Sequence, residues 1–311
     1  MGSTSRVSPV SGSAKTALFP VGVTGSKSFF TYYIGGMVMD VTEQQLKVQL
    51  QQEDTIISEE LLDQMLHHIG SLDPVLRDDL IFSRLAEWIM SGEFALTSAK
   101  RIVSFVLSPD GLFYKMKTSD DTAVFTRSFS ALLLAVVLET DAAHQQLEEQ
   151  TYEQISNQLL EYLSNETDFR GFVPDYGWAH SIAHIADVYD AWFKHPRCQI
   201  RNEQAAIGRF IEILMTPDYV FIEEEQERVI TAWLAARERG MTDEILFTTI
   251  ETSVQTLLDL PVNWSDERFT VLRNTKQLLR TLYFRVKWQD KTSILPERLE
   301  HLLFQIHQRY Q

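Results

Sequence analysis

The sequence predicts an all-α protein: stacked antiparallel helical hairpins, either a solenoid of the HEAT or armadillo kind or an irregular bundle. Three observations predict it. From Val41 onward apolar residues recur at helical spacing almost without a break, capping residues precede most of those runs, and strand signals are nearly absent. The connections between the runs are short, which favours antiparallel neighbours. No fixed-period repeat is visible, so both architectures stay open.

The elements follow in order. Thr42-x-x-Gln45 is a capping box opening a helix over 42–52. Ser58, followed by Glu59 and Glu60, starts the next, which Gly70 ends. Asp73-Pro74 places a cap before a first-turn proline and opens 73–90. Thr97 caps a helix to 107, and Ser119-Asp120-Asp121 opens a long one to 138. Its stretch Ala131–Leu138 is apolar on every side and belongs in the middle of the stack. Further helices are expected over 148–163, 177–193, 202–214, 224–239, 242–258, 265–286 and 296–310, about twelve in all. Gly111–Met116 is the best candidate for a hairpin or an extended piece.

Composition narrows the function. The chain has 311 residues, 44% of them hydrophobic, and six Trp, enough for one large ordered core over 40–311. The net charge is −15, which disfavours binding to nucleic acid or to anionic membrane surfaces. The longest apolar run, Ala131–Leu138, falls far short of the ~18 residues of a membrane span. Cys198 is the only cysteine, so no intramolecular disulfide can form; a cytoplasmic location fits.

Residues 1–39 differ from the rest. They hold no Asp or Glu, are rich in Ser and Thr, and show no periodicity. They read as a disordered leader. One explanation is a genuine tail; the other is that translation begins at Met39 or Met37, since Gly35-Gly36 can be encoded by a ribosome-binding sequence at a suitable distance.

The chemistry concentrates in DFRGFVPDYGWAHSIAHIADVY, from Asp168 to Tyr189. His180, His184 and Asp187 stand at i, i+4 and i+7, within ~60° of one another on a helix. Asp175 or Gly177 would cap that helix. Ala179, Ala183 and Ala186 form a small-residue side for close packing, with Trp178, Ile182 and Ile185 opposite. Three roles fit the stripe: a structural hydrogen-bond network, a polar pocket for a ligand or reaction, or a metal site of His180, His184 and Asp187 taking a divalent ion such as zinc. The HExxH general base is missing, since Ser181 and Ile182 follow His180. Asp168, Arg170 and Asp175 are the expected loop partners.

Arg127 is the only basic residue from Thr118 to Glu139 and heads the apolar helix. A buried guanidinium needs a carboxylate or carbonyl; Asp187 or Asp168 is expected, and an anion-binding role in the same pocket is the alternative. Asn274 and Arg280 are expected inside the C-terminal stack. His67, His68, His195 and His307 stand apart from any carboxylate constellation and read as surface residues. Glu223-Glu224-Glu225 reads as a charge run at a helix N-terminus.

Several strings together resemble a family. GWAHxxAHxAD at 177–187, RSFSALLLA at 127–135, IGSLDPVLRDDL at 69–80 and NTKQLLRTLYF at 274–284 are similar to the bacterial domain of unknown function 2785, over about 46–284. The resemblance implies an all-helical bacterial protein and brings no activity, substrate or cofactor. The residues themselves favour a cytoplasmic helical-repeat binding or scaffold protein with no cofactor and an unidentified protein or small-molecule ligand. The alternative is a metal-dependent hydrolase using His180, His184 and Asp187, with Asp175 or Asp168 as base.

Overall fold

A computed structural model describes residues 41–311 other than 53, 93–94 and 199–202, together with the four residues of one strand pair. Contacts divide the chain into Met1–Asp40 and Val41–Gln311. In the first unit β1 (Tyr33–Ile34) pairs antiparallel with β2 (Met37–Val38), Tyr33 opposite Val38. The expectations for the leader, its disorder and a start at Met39 or Met37, otherwise fall outside the described residues.

The second unit is all-α apart from one two-residue strand pair. Its helices are α1 (Glu43–Leu50), α2 (Glu59–His67), α3 (Ser83–Met90), α4 (Leu96–Val106), α5 (Ala123–His144) and α6 (Glu149–Asn165). Beyond the strands β3 (Phe172–Val173) and β4 (Gly177–Trp178) come α7 (Ser181–Lys194), α8 (Glu203–Leu214), α9 (Glu225–Glu238), α10 (Asp243–Asp259), α11 (Asp266–Gln289) and α12 (Leu295–Arg309). Side-chain caps form at several helix starts, though not at Thr97, which lies inside α4. Thr42 and Gln45 make the reciprocal capping box, and Ser58, Thr242 and Ser265 accept an amide of their own helix. Asp73 accepts from Val75 N and Leu76 N, but the turns that follow, Val75–Phe82, are π-helical before the chain tightens into α3. Gly111–Met116 is a run of turns rather than a strand: Leu112 N folds back to donate to the Val106 carbonyl at 2.8 Å, ending α4.

Side-chain pairs fix how the helices run. Ser128 meets His184 and Asp141 meets His195, so α5 and α7 are parallel neighbours. Asp187 meets Arg228, and Arg239 reaches the His195 carbonyl, so α9 lies parallel on the other side of α7. Gln226 meets Gln277 and Arg237 meets Asp290, adding α11 to the row. The intervening helices α6, α8, α10 and α12 pack on one another in turn and make a second row. The N-terminal helices do not continue the rows: α2 packs on α4, and α3 and α4 pack on α5. The result is an all-α helical bundle.

The main apolar core runs from Leu46 on α1 to Ile306 on α12, and Val124, Phe125 and Ala179 form a small second cluster. Among the described residues α5 alone is long and apolar enough to cross a membrane, and 72% of its most apolar window is buried inside the fold, as in a core helix. Ala183 and Ala186 of α7 are fully buried, which lets α5 and α9 approach it closely from both sides.

Candidate functional site

The segment 168–189 folds as a small hairpin followed by a helix, and the helix begins later than its periodicity suggests. Phe172 pairs with Trp178 and Val173 with Gly177. Ala179 N donates to the Gly171 carbonyl at 2.8 Å and His180 N to the Arg170 carbonyl at 3.1 Å, extending the hairpin. These amides are spent on the hairpin, so α7 starts at Ser181 rather than at 177. His180, with φ 48°, is the residue before the helix rather than its first ligand-bearing turn. Neither Asp175 nor Gly177 caps the helix. Asp175 sits exposed at the hairpin tip, in the left-handed region at φ 69°.

Gly177 has two reasons to be glycine. Its φ is +77°, and a Cβ there would stand 3.2 Å from Arg77 Nη2 and from Pro74 Cβ. Arg77 is wholly buried between the rings of Phe125 and Phe129, at 4.5 and 4.8 Å. It donates through Nη1 to the Ser71 carbonyl at 2.8 Å and through Nη2 to the Tyr176 carbonyl at 2.7 Å, and it touches Asp78 at 2.7 Å. The hairpin is therefore pinned to the N-terminal helices by one guanidinium.

His184 lies fully inside. Its Nδ1 is 3.2 Å from the Ser128 carbonyl, which can only accept, so Nδ1 carries the proton of the neutral ring. The ring meets Phe129 edge-on at 5.2 Å and His180 at 5.9 Å. Burial, together with the neighbouring His180 and Arg228, pulls its pKa down to about 3. His180 packs on the exposed Trp178 at 4.4 Å, and its buried Nε2 has no hydrogen-bond partner among the described residues. Burial, then Arg228, lowers its pKa to about 4. Both histidines are thus neutral near neutral pH.

The stripe does not assemble as a metal site. Asp187 is held by Arg228, whose Nε donates to Oδ1 at 2.7 Å and whose Nη2 binds the other oxygen. Burial still raises the Asp187 pKa, with Arg228 opposing. Among the described residues no group of three or more His, Cys, Asp or Glu is placed to hold a metal ion. His184 and Asp187 are thus taken by different partners, the Ser128 carbonyl and Arg228, while His180 packs on Trp178.

Arg127 is buried as expected but binds neither Asp187 nor Asp168. It forms a two-pronged pair with Glu166, Nε to Oε2 at 2.7 Å and Nη2 to Oε1 at 2.9 Å, and Nη1 donates to the Tyr114 carbonyl. Glu166, at the end of α6, also accepts from Tyr162 Oη and from the Thr167 and Asp168 amides, each at 2.9 Å. Asp168 instead binds Arg170 of its own loop, at 2.8 and 2.6 Å, while its carbonyl takes the Ser181 hydroxyl. Arg127, Asp168 and Arg170 border one cleft of about 410 Å³, whose far wall is the 115–121 loop. Lys115 and Lys117 hold left-handed conformations there, φ 46° and 67°. Lys115 is paired to Asp120; Lys117 is exposed and has no ion pair among the described residues. The candidate residues thus divide: Arg127, Asp168 and Arg170 line the cleft, Trp178 stands exposed on the hairpin with His180 against it, His184 is buried on α7, and Asp187 lies between α7 and α9.

Sequence reasoning missed several buried groups. Arg77 could have been found by the argument used for Arg127, as a lone cation within an apolar helix face. His195, read as a surface residue, is fully buried: its Nε2 is 3.2 Å from Asp141 Oδ2, which also takes the Tyr152 hydroxyl at 2.5 Å. Burial alone would raise the Asp141 pKa; the bonds from His195 and Tyr152 hold it down. Glu225 is not a solvated charge but buried, with one oxygen unpartnered among the described residues, and burial pushes its pKa up to about 7. Asn274 is buried as expected, donating to the Tyr219 carbonyl and accepting from Phe221 N, whereas Arg280 faces out.

Comparison with known proteins adds one relation. No curated protein and no solved structure matches the chain. Residues 112–284 match the family described as Protein of unknown function (DUF2785). The matched region holds the cleft, the hairpin, α5 to α10 and α11 as far as Phe284, but not IGSLDPVLRDDL, which lies before it. Since it covers more than half of the sequence, the chain belongs to that family.

Proposed function

We propose that this protein is a non-catalytic binding module that takes a small anionic ligand in the cleft between the 115–121 and 166–170 loops. The observation that carries the reading is one cation, Lys117, placed beside Arg127 and Arg170 in a cleft that Asp121 and Asp218 also line. Lys115, Arg127 and Arg170 are each engaged by a carboxylate, while Lys117 borders the same space with no ion pair among the described residues. A ligand carboxylate or phosphate there would complete its charge and meet the outer edge of Arg170. His180 and His184, at about 4 and about 3, are weak bases at neutral pH, which also favours binding over general-base chemistry. In this reading the His/Asp/Arg groups hold the helices in register. A single buried cysteine, Cys198, is in keeping with a cytoplasmic protein.

The test is a thermal-shift series with small carboxylates and phosphates on the wild type and on Lys117→Ala and Arg170→Ala. Saturable stabilisation that both substitutions abolish is expected. No stabilisation by any compound, or stabilisation that both variants keep, would exclude the cleft.

A further inference from the structure

The helix α11 carries a surface unlike the rest of the chain. Between Asp266 and Gln289 it has six basic residues against two acidic ones, both in the first turn, within a protein of net charge −15. Phe269, Arg273, Lys276, Arg280, Phe284 and Lys287 follow one another in steps of three and four, so they share one face. Trp288 borders it. Phe269 is 47% exposed, Phe284 45% and Trp288 70%. The opposite face, Leu272, Leu278, Leu279, Leu282 and Val286, is in the core.

The charges on that face are not used by the fold. Among the described residues Arg273, Lys276 and Arg280 have no salt bridge, whereas Arg285, on the flank, is bound to Glu227 at 2.7 Å. Lys287 donates to Tyr283 of the same helix and senses Glu300 of α12. Phe284 and Trp288 lie with ring centroids 5.4 Å apart, making a continuous apolar step beside the cations. A solvated face needs no exposed aromatics, and a structural face would pair its arginines.

We propose that this face docks an acidic amphipathic segment of a partner protein. Carboxylates spaced at three and four residues would meet Arg273, Lys276 and Arg280, and apolar side chains would cover Phe284 and Trp288. Charge complementarity selects this occupant over a polyanion. A nucleic acid or an anionic membrane extends well past the stripe and would meet the strongly acidic remainder of the surface. A short segment stays within about a Debye length, ~10 Å, of the cations.

The probe is a fluorescein-labelled helical peptide with Glu and Leu at three- and four-residue steps, followed by anisotropy on the full chain. Saturable binding is expected, weakened about tenfold or more by the combined change Arg273→Glu, Lys276→Glu and Arg280→Glu. That variant should instead bind the peptide in which Lys replaces Glu, a gain that loss of folding cannot produce. Phe284→Ala and Trp288→Ala should each weaken the wild-type complex. Circular dichroism unchanged in these variants is expected, because all five side chains lie outside the core. The proposal is overturned if the peptide does not bind or if the triple variant binds it equally well. It is also overturned if an oligothymidylate or phosphatidylserine vesicles bind this face more tightly, or if the triple change instead abolishes self-association of the chain.

Discussion

Lowering the pH should weaken the fold through His184 by an amount that can be worked out. In the unfolded chain its ring titrates near the ordinary ~6.5, whereas in the fold its pKa is about 3. The folded state therefore binds fewer protons between those values, and stability falls as pH drops through 6.5. Relative to about pH 7.5, the loss at about pH 5 is ~2 kcal/mol from this ring, approaching ~5 kcal/mol only near pH 3. His180, lowered to about 4, adds ~2 kcal/mol at about pH 5. Glu225 works in the opposite direction. Its folded pKa of about 7 lies above the unfolded value, so it regains ~2 kcal/mol over the same interval as it takes up a proton. The wild-type profile is consequently muted, and the informative quantity is the difference between wild type and His184→Gln. Urea unfolding of both proteins at about pH 7.5 and about pH 5 should show the gap between them narrowing by ~2 kcal/mol at the lower pH. A gap that stays constant, or an NMR titration placing the His184 ring near 6.5, would refute the reasoning.

Three further outcomes follow from the same geometry. Arg127→Met leaves the Glu166 carboxylate buried without its cation and should cost about 3–5 kcal/mol in denaturant unfolding, part of it restored by adding Glu166→Gln. Asp187→Asn breaks a pair whose arginine is 51% exposed, so its cost should stay within about 1 kcal/mol despite the two-pronged contact. Gly177→Ala must adopt φ +77° beside Arg77, and a loss of about 1–3 kcal/mol in thermal or urea unfolding is expected; Gly92→Ala, at φ +79° with nothing within 4 Å, isolates the backbone part of that cost.

The helices were legible because each carries its own periodicity and, in several cases, its own cap. Ser58, Thr242 and Ser265 mark helix starts that local hydrogen bonding realises directly. The start of α7 was not legible in that way. Trp178 to His184 has the right spacing for a helix, but the amides of Ala179 and His180 go to carbonyls of the hairpin, a competition that periodicity does not register. The site followed the same division. That Arg127 needed a buried acid could be reasoned from its lone charge in an apolar helix. That the acid is Glu166 depended on where α6 ends against α5. His195 and Asp141 are 54 residues apart and meet only because α5 and α7 run parallel, which no local pattern specifies. Arg280 neighbours Leu278, Leu279 and Leu282 in sequence, but its angular position puts it with Arg273 and Phe284 on the outer face.

The most direct measurement is NMR mapping of whichever small anion stabilises the protein. Ligand-induced shifts should centre on the Arg127 and Arg170 side-chain N–H groups and the amides of Lys117, Thr167 and Asp168, while the rings of His180 and His184 stay unmoved. Shifts centred on His180 and His184, with the Arg127 and Arg170 signals unchanged, would contradict a ligand site in the cleft and a structural role for the histidine pair.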